Sequence, residues 1–146
     1  MKNIIVLGAT GSIGESVLSV IKQNKDELNL LGISFSSNIV KAKDIINEFK
    51  LKNVYSESDD SHEYLKHSFE NNHELNILKD KSELEELLNK DDVDIIVSAI
   101  SGFAGLESTL MASKTGKTIL LANKESIVVA GEIIIPLAKQ YNQDQY

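Results

Sequence analysis

Gly8, Gly11 and Gly14 recur at three-residue spacing within Gly8-Ala9-Thr10-Gly11-Ser12-Ile13-Gly14, directly after the apolar run Ile4-Ile5-Val6-Leu7. Glycines in such a turn let the backbone take positive φ and let a phosphate approach without a Cβ in the way. An amphipathic segment follows, with Ile13, Val17, Val20 and Ile21 on one helical face. A helix starting there aims its first N–H groups and the positive end of its dipole at the same spot, which favours an anion. Strand, glycine turn and helix are the setting of a dinucleotide fingerprint, here spaced G-x-x-G-x-x-G rather than G-x-G-x-x-G. Thr10 and Ser12 add hydroxyl donors. No lysine stands where a Walker motif needs one, so the turn is not a P-loop.

A second group of polar residues follows the next apolar run, Leu28 to Phe35. Folds that bind NAD usually carry an acid near the end of this strand to hold the ribose 2′-hydroxyl. Ser36-Ser37-Asn38 has none. Its hydroxyl and amide donors suit a 2′-phosphate, with Lys41 or Lys43 adding charge, and point to NADP; the same residues also suit a helix cap. A third group, Asn123-Lys124-Glu125-Ser126, falls after a later strand at the same sheet edge. Lys124 could meet a phosphate, a carbonyl or an enolate, and Asn123 and Glu125 could hold a nicotinamide ribose; the alternative is a solvated cap.

These groups need a scaffold that brings strand ends together. The first unit runs from a strand over 3–7 to a helix over 12–24, a strand over 28–35 and a helix over 41–50 with Ile45, Ile46 and Phe49 inward. A short strand over 54–56 precedes a helix capped within Ser58 to Ser61 and carrying Tyr64, Leu65 and Phe69. A strand over 75–78 leads to the capping box Ser82-Glu83-Leu84-Glu85 and a helix to about Asn89. Buried strands over 93–100 and 118–122 flank a turn at 101–105 and a helix over 106–114, and a largely helical stretch over 127–140 follows. This alternation predicts one α/β domain, residues 1–146, with a doubly wound, mainly parallel sheet and helices on both faces.

Composition excludes several classes of function. The formal net charge of −7 argues against nonspecific binding to nucleic acid or to an anionic membrane. All 15 basic residues are lysine, so arginine's bidentate grip on phosphate is absent. Without cysteine there is no disulfide framework and no thiolate chemistry, which fits a cytoplasmic location. No segment reaches the ~20 apolar residues of a membrane span, and the glycine turn cuts the N-terminal apolar stretch too short for a signal peptide. His62, His67 and His73 lack metal-ligand spacing and read as surface residues. No tyrosine is followed four residues later by lysine, which counts against a self-contained short-chain reductase.

Four segments together resemble one family. They are Gly8 to Gly14, Ala99-Ile100-Ser101-Gly102-Phe103-Ala104-Gly105-Leu106, Gly116 to Ser126 with its Leu-Ala-Asn-Lys-Glu-Ser block, and Ala130-Gly131. The chain is similar to the N-terminal, NADPH-binding part of 1-deoxy-D-xylulose 5-phosphate reductoisomerase. The resemblance implies a Rossmann-like fold and an enzyme that rearranges its phosphosugar substrate and reduces the product to 2-C-methyl-D-erythritol 4-phosphate in non-mevalonate isoprenoid biosynthesis. Beside Gly8 of the glycine cradle, it implies NADPH contacts at Thr10, Gly11, Ser12, Ile13, Ser36, Ser37, Asn38, Asn123 and Glu125, and a substrate contact at Lys124. Many members carry Gly-Lys-Asn where this chain has Ser36-Ser37-Asn38. The family's divalent metal, Mg²⁺ or Mn²⁺, is held by an Asp-Ser-Glu motif and a catalytic domain beyond the residues matched here, and the parent enzyme is a homodimer. The chain is therefore expected to bind NADPH without turnover and to hold no catalytic or metal-ligating residue of its own. The alternative is a free-standing NADP-binding or sensor module.

Overall fold

The computed structural model describes residues 1–100 and 102–122 of the chain. The elements are β1 (Lys2–Leu7), α1 (Ser12–Gln23), β2 (Leu28–Phe35), α2 (Ile39–Phe49), β3 (Asn53–Ser56), α3 (Asp59–Ser68), β4 (Asn76–Leu78), α4 (Lys81–Leu88), β5 (Ile95–Ser98), α5 (Gly102–Ser113) and β6 (Thr118–Leu121). They form a six-stranded sheet in the order β4-β3-β2-β1-β5-β6. Every pairing is parallel, so the mainly parallel expectation is met without exception among the described strands.

The apolar runs read from the sequence are continuous because their strands are covered on both faces. Ile4, Ile5 and Val6 are all 0% exposed and belong alternately to two cores. Ile4 and Val6 pack with Val17, Leu18 and Ile21 of α1, Ala42 and Ile46 of α2 and Leu65 of α3. Ile5 and Leu7 pack on the opposite face with Leu84, Leu87 and Leu88 of α4 and Ala112 of α5. Burying one such side chain contributes about 1.5–3 kcal/mol before entropy is counted. With α1 to α3 on one face and α4 and α5 on the other, the chain winds outward from β1 in one direction and then in the other. The carboxyl ends of β1, β2 and β5 border the point where the winding reverses.

Strand β2 is one residue longer than its pairing with β1 requires. Ile4 pairs with Leu30 and Ile5 with Gly32, so the register shifts at Leu31. The shift changes the alternation: Leu28 and Leu30 before it and Ile33 and Phe35 after it all enter the α1–α2 core, while Leu31 packs against the other. The Leu31 carbonyl accepts from Asn53 Nδ2 at 3.2 Å, and Asn53 Oδ1 accepts from Asn76 Nδ2 at 3.3 Å. This short amide chain crosses β2, β3 and β4.

Caps set the helix starts. Asn38 accepts from the N–H of Lys41 at 3.2 Å and Ser58 from that of Ser61 at 3.3 Å, each worth about 1 kcal/mol. At α4 the sequence expectation needs correction: Asp80, not Ser82, is the N-cap, accepting from Glu83 N–H at 3.0 Å. Glu83 in turn accepts from the N–H of Lys79, the residue before the cap, at 3.3 Å, so the helix start sits two residues earlier than predicted. Helix α5 starts at Gly102, inside the stretch predicted as a turn. Its small residues permit this, since a Cβ at Gly105 would collide with the Ile100 carbonyl oxygen. Tyr64, carried on α3, is 52% exposed. Lys43 Nζ lies 5.3 Å from its ring centroid, a cation–π contact between α2 and α3.

Candidate functional site

The glycine turn leaves the carboxyl end of β1 and enters α1. Gly8 has φ +82°, a conformation that L side chains rarely adopt, and a Cβ there would lie 2.5 Å from Ile100 Cγ1. Gly14 serves close packing: a Cβ would collide with the Gly8 carbonyl oxygen and lie 2.6 Å from that of Ala9. Gly11 differs, because a Cβ there would meet nothing within 4 Å. Its open side is room for a ligand. Gly11 is also the N-cap of α1 and supplies no side-chain hydrogen bond, whereas α2, α3 and α4 each have one.

Ser34, near the end of β2, clamps the turn. Its Oγ accepts from Gly8 N–H at 3.0 Å, and its carbonyl accepts from Gly8 N–H at 3.1 Å and Ala9 N–H at 2.9 Å. Each such bond contributes about 0.5–1.5 kcal/mol net. Lys41 reaches the turn from α2, with Nζ 3.5 Å from the Thr10 carbonyl oxygen and 3.0 Å from Glu15 Oε2. Its positive charge is therefore held beside the anion-favouring helix end, while Lys43 is drawn away to Tyr64.

The turn and Ser34 border a cavity of about 260 Å³ lined by Gly8, Thr10, Gly11, Ser34, Phe35, Ser36, Glu57, Ala99 and Ile100, whereas Lys41 and Glu15 line a separate cavity of about 390 Å³ between α1 and α2. The former lies at the carboxyl ends of β1, β2, β3 and β5, where ligands of open parallel sheets bind. Of the residues expected to touch a cofactor, Gly8, Thr10, Gly11 and Ser36 share this wall. Ser12 is exposed at the first position of α1, and the Ile13 side chain packs against the core, which leaves its backbone N–H as the group a ligand could use. Ser37 and Asn38 are exposed just past the cavity. Asn38 is engaged as the α2 cap through Oδ1, so capping and a free Nδ2 donor coexist. Asn123, Lys124 and Glu125 lie outside the described residues, as do Ser126 and the predicted helix over 127–140.

Two residues of this wall were missed in the sequence. Ser34 is a buried polar residue in an apolar strand, a signal in itself. Glu57 follows β3 and becomes relevant only because β3 lies beside β2. Among the described residues no group of three His, Cys, Asp or Glu side chains is placed to hold a metal. No described helix is long and apolar enough to cross a membrane.

The sequence profile of 1-deoxy-D-xylulose 5-phosphate reductoisomerase matches residues 4–131. The chain belongs to this family. It is 41% identical over 143 residues to the reductoisomerase of Clostridium beijerinckii, covering 97% of this chain and 37% of that protein. To the protein of the same name from Vesicomyosocius okutanii it is 35% identical over 144 residues, covering 99% and 37%. Among solved structures it is similar to DOX-P reductoisomerase in complex with NADPH, fosmidomycin and magnesium, with a TM-score of 0.76, 37% identity, and coverage of 96% of this chain and 34% of that one. The Zymomonas mobilis enzyme in complex with NADPH gives a TM-score of 0.72 and 31% identity, covering 97% and 37%. The chain thus spans little more than a third of the length of these relatives. The likeness accounts for the Rossmann-like sheet and for the order of the motifs along it.

Proposed function

We propose that this chain is the NADPH-binding domain, residues 1–146, of a 1-deoxy-D-xylulose 5-phosphate reductoisomerase. The whole protein would rearrange 1-deoxy-D-xylulose 5-phosphate and reduce the product to 2-C-methyl-D-erythritol 4-phosphate. The observation that carries this reading is the cavity at the reversal of the sheet, with the uncapped start of α1 and the acid-free end of β2 in one wall. NADPH, when bound, supplies the hydride.

This chain's residues hold and orient it. Thr10, Gly11, Ser12 and Ile13 offer donors to the pyrophosphate at the α1 N-terminus, with the charge of Lys41 beside them. Gly8 sets the turn. Ser36, Ser37 and Asn38 offer donors to the 2′-phosphate. Asn123 and Glu125 are proposed for the nicotinamide ribose and Lys124 for the phosphosugar substrate, on the strength of the Leu-Ala-Asn-Lys-Glu-Ser block. A divalent metal, magnesium or manganese, belongs to the parent enzyme in this proposal and not to the described residues. A cytoplasmic location and a homodimeric parent complete it; cysteine-free composition supports the first and the family resemblance the second.

Calorimetric titration of the chain with NADPH and NADH tests the reading. Tighter binding of NADPH is expected. Equal affinities, or tighter NADH, would overturn the assignment of Ser36 to Asn38, and absence of binding to either would overturn the dinucleotide site. With substrate, NADPH and Mg²⁺, the 146-residue chain is expected to show no turnover; conversion would place the chemistry within it.

A further inference from the structure

The proposed contacts leave one acid in the cavity wall unused. Glu57 is the residue after β3, and its N–H donates to the Phe35 carbonyl at 3.0 Å. Phe35 and Ser56 are the last register pair of β2 and β3, so Ser36 and Glu57 are the next residues along the two strands. Both line the same cavity. Glu57 also lines a second cavity of about 290 Å³ on the α4–α5 side, with Tyr55, Lys81, Leu84, Glu107, Ser108 and Met111.

The carboxylate of Glu57 has no hydrogen bond or ion pair among the described residues. Lys81, which shares the second cavity, is paired with Glu107 and feels the Glu57 charge only through space. After burial, Glu57 is the largest influence pushing the Tyr55 phenol up, so its charge acts within this edge of the sheet.

We propose that Glu57 is a specificity-determining residue whose negative charge, beside Ser36, opposes the 2′-phosphate of NADPH and narrows the preference for NADPH over NADH. The inference rests on the dinucleotide reading of the cavity. An acid that selects for NAD usually stands at the end of the second strand. Here that position is acid-free, and the neighbouring strand delivers the charge instead. NADH, with a hydroxyl in place of the phosphate, does not meet this repulsion. Glu57 is exposed, so the effect is modest and screened by salt.

The test is titration of the unaltered chain, Glu57→Gln and Glu86→Gln with NADPH and NADH. Glu86 is an exposed acid on α4 outside this cavity, and its replacement removes the same net charge. Glu57→Gln is expected to tighten NADPH about threefold to tenfold at low salt, to leave NADH within about twofold, and to lose the gain near 1 M salt. Glu86→Gln should change neither ligand. Unchanged NADPH affinity in Glu57→Gln, with the unaltered chain still binding, would overturn the inference alone. So would equal weakening of both ligands, which would mean a contact to a part that they share, or equal tightening by Glu86→Gln. Failure of the unaltered chain to bind either ligand would overturn the dinucleotide reading, and the inference with it.

Discussion

Replacing Gly11 by serine should separate stability from binding at a single position. The backbone there, φ −77° and ψ 172°, is extended and open to any residue, and α1 has no side-chain cap. Because a Cβ would meet nothing within 4 Å, serine enters without strain and can offer Oγ to an N–H in the first turn of α1. The new cap is worth a few tenths of a kcal/mol over glycine. Removing glycine's freedom from the unfolded chain adds about 0.4–1 kcal/mol. Together these raise the melting temperature by about 2–4 °C for a chain of this size. The same side chain fills the space left for a phosphate and occupies an N–H that the phosphate would use. Losing one charge-assisted hydrogen bond costs about 1.5–3 kcal/mol, which weakens NADPH by about tenfold to a hundredfold. Thermal unfolding without ligand, followed by NADPH titration at fixed salt, reads both effects. A serine variant that binds NADPH as tightly as the parent would refute the placement of the phosphate at Gly11. One that melts lower would refute the account of its backbone.

Gly14→Ala should act in the opposite sense. Its Cβ meets backbone that cannot turn aside, at a cost of about 1–3 kcal/mol, against about 1 kcal/mol of helix propensity gained; a melting temperature that stays level or rises would count against this. Lys41→Met should weaken NADPH about threefold at low salt, and Lys43→Met should leave it unchanged, because only Lys41 reaches the turn. Similar effects from both in titration would remove the distinction. Burial, with Glu57 beside it, raises the Tyr55 phenol above its ordinary 10.0. The unfolded chain therefore loses this proton first, so the stabilisation is complete below about pH 10 and is lost as pH climbs through the raised folded value. Lys81, raised by Glu107, acts in the same direction. Urea unfolding from about pH 8 to 11 should show stability falling at the alkaline end, and less steeply in Tyr55→Phe; equal slopes would exclude Tyr55 as a source.

Local signals in the sequence located the elements. Strand β2 has the bounds read from its apolar run, and α1 starts at the predicted Ser12 because the glycine turn ends there. Where two local signals compete, the nearer rule misleads: Ser82 looks like a cap, but Asp80 offers a carboxylate to the same helix end. Likewise Gly102 to Gly105 looks like a turn, although small residues also let a helix begin tight against Ile100. The cavity wall was legible in part. Gly8, Thr10, Gly11 and Ser36 follow strands in chain order, which alternation alone reveals. Ser34 and Glu57 enter it through neighbours in space, and those neighbours are fixed by the strand order, which no local pattern encodes.

The extra residue at Leu31 bears on how this sheet tolerates change in length. Beyond it, Ile5 to Leu7 pair with Gly32 to Ser34 in uninterrupted register, up to the clamp on Gly8. The extra residue is absorbed before that pairing begins, with the Leu31 carbonyl taken up by Asn53. The strand thus works like a slip joint. The irregularity stays away from the strand end that seats the glycine turn.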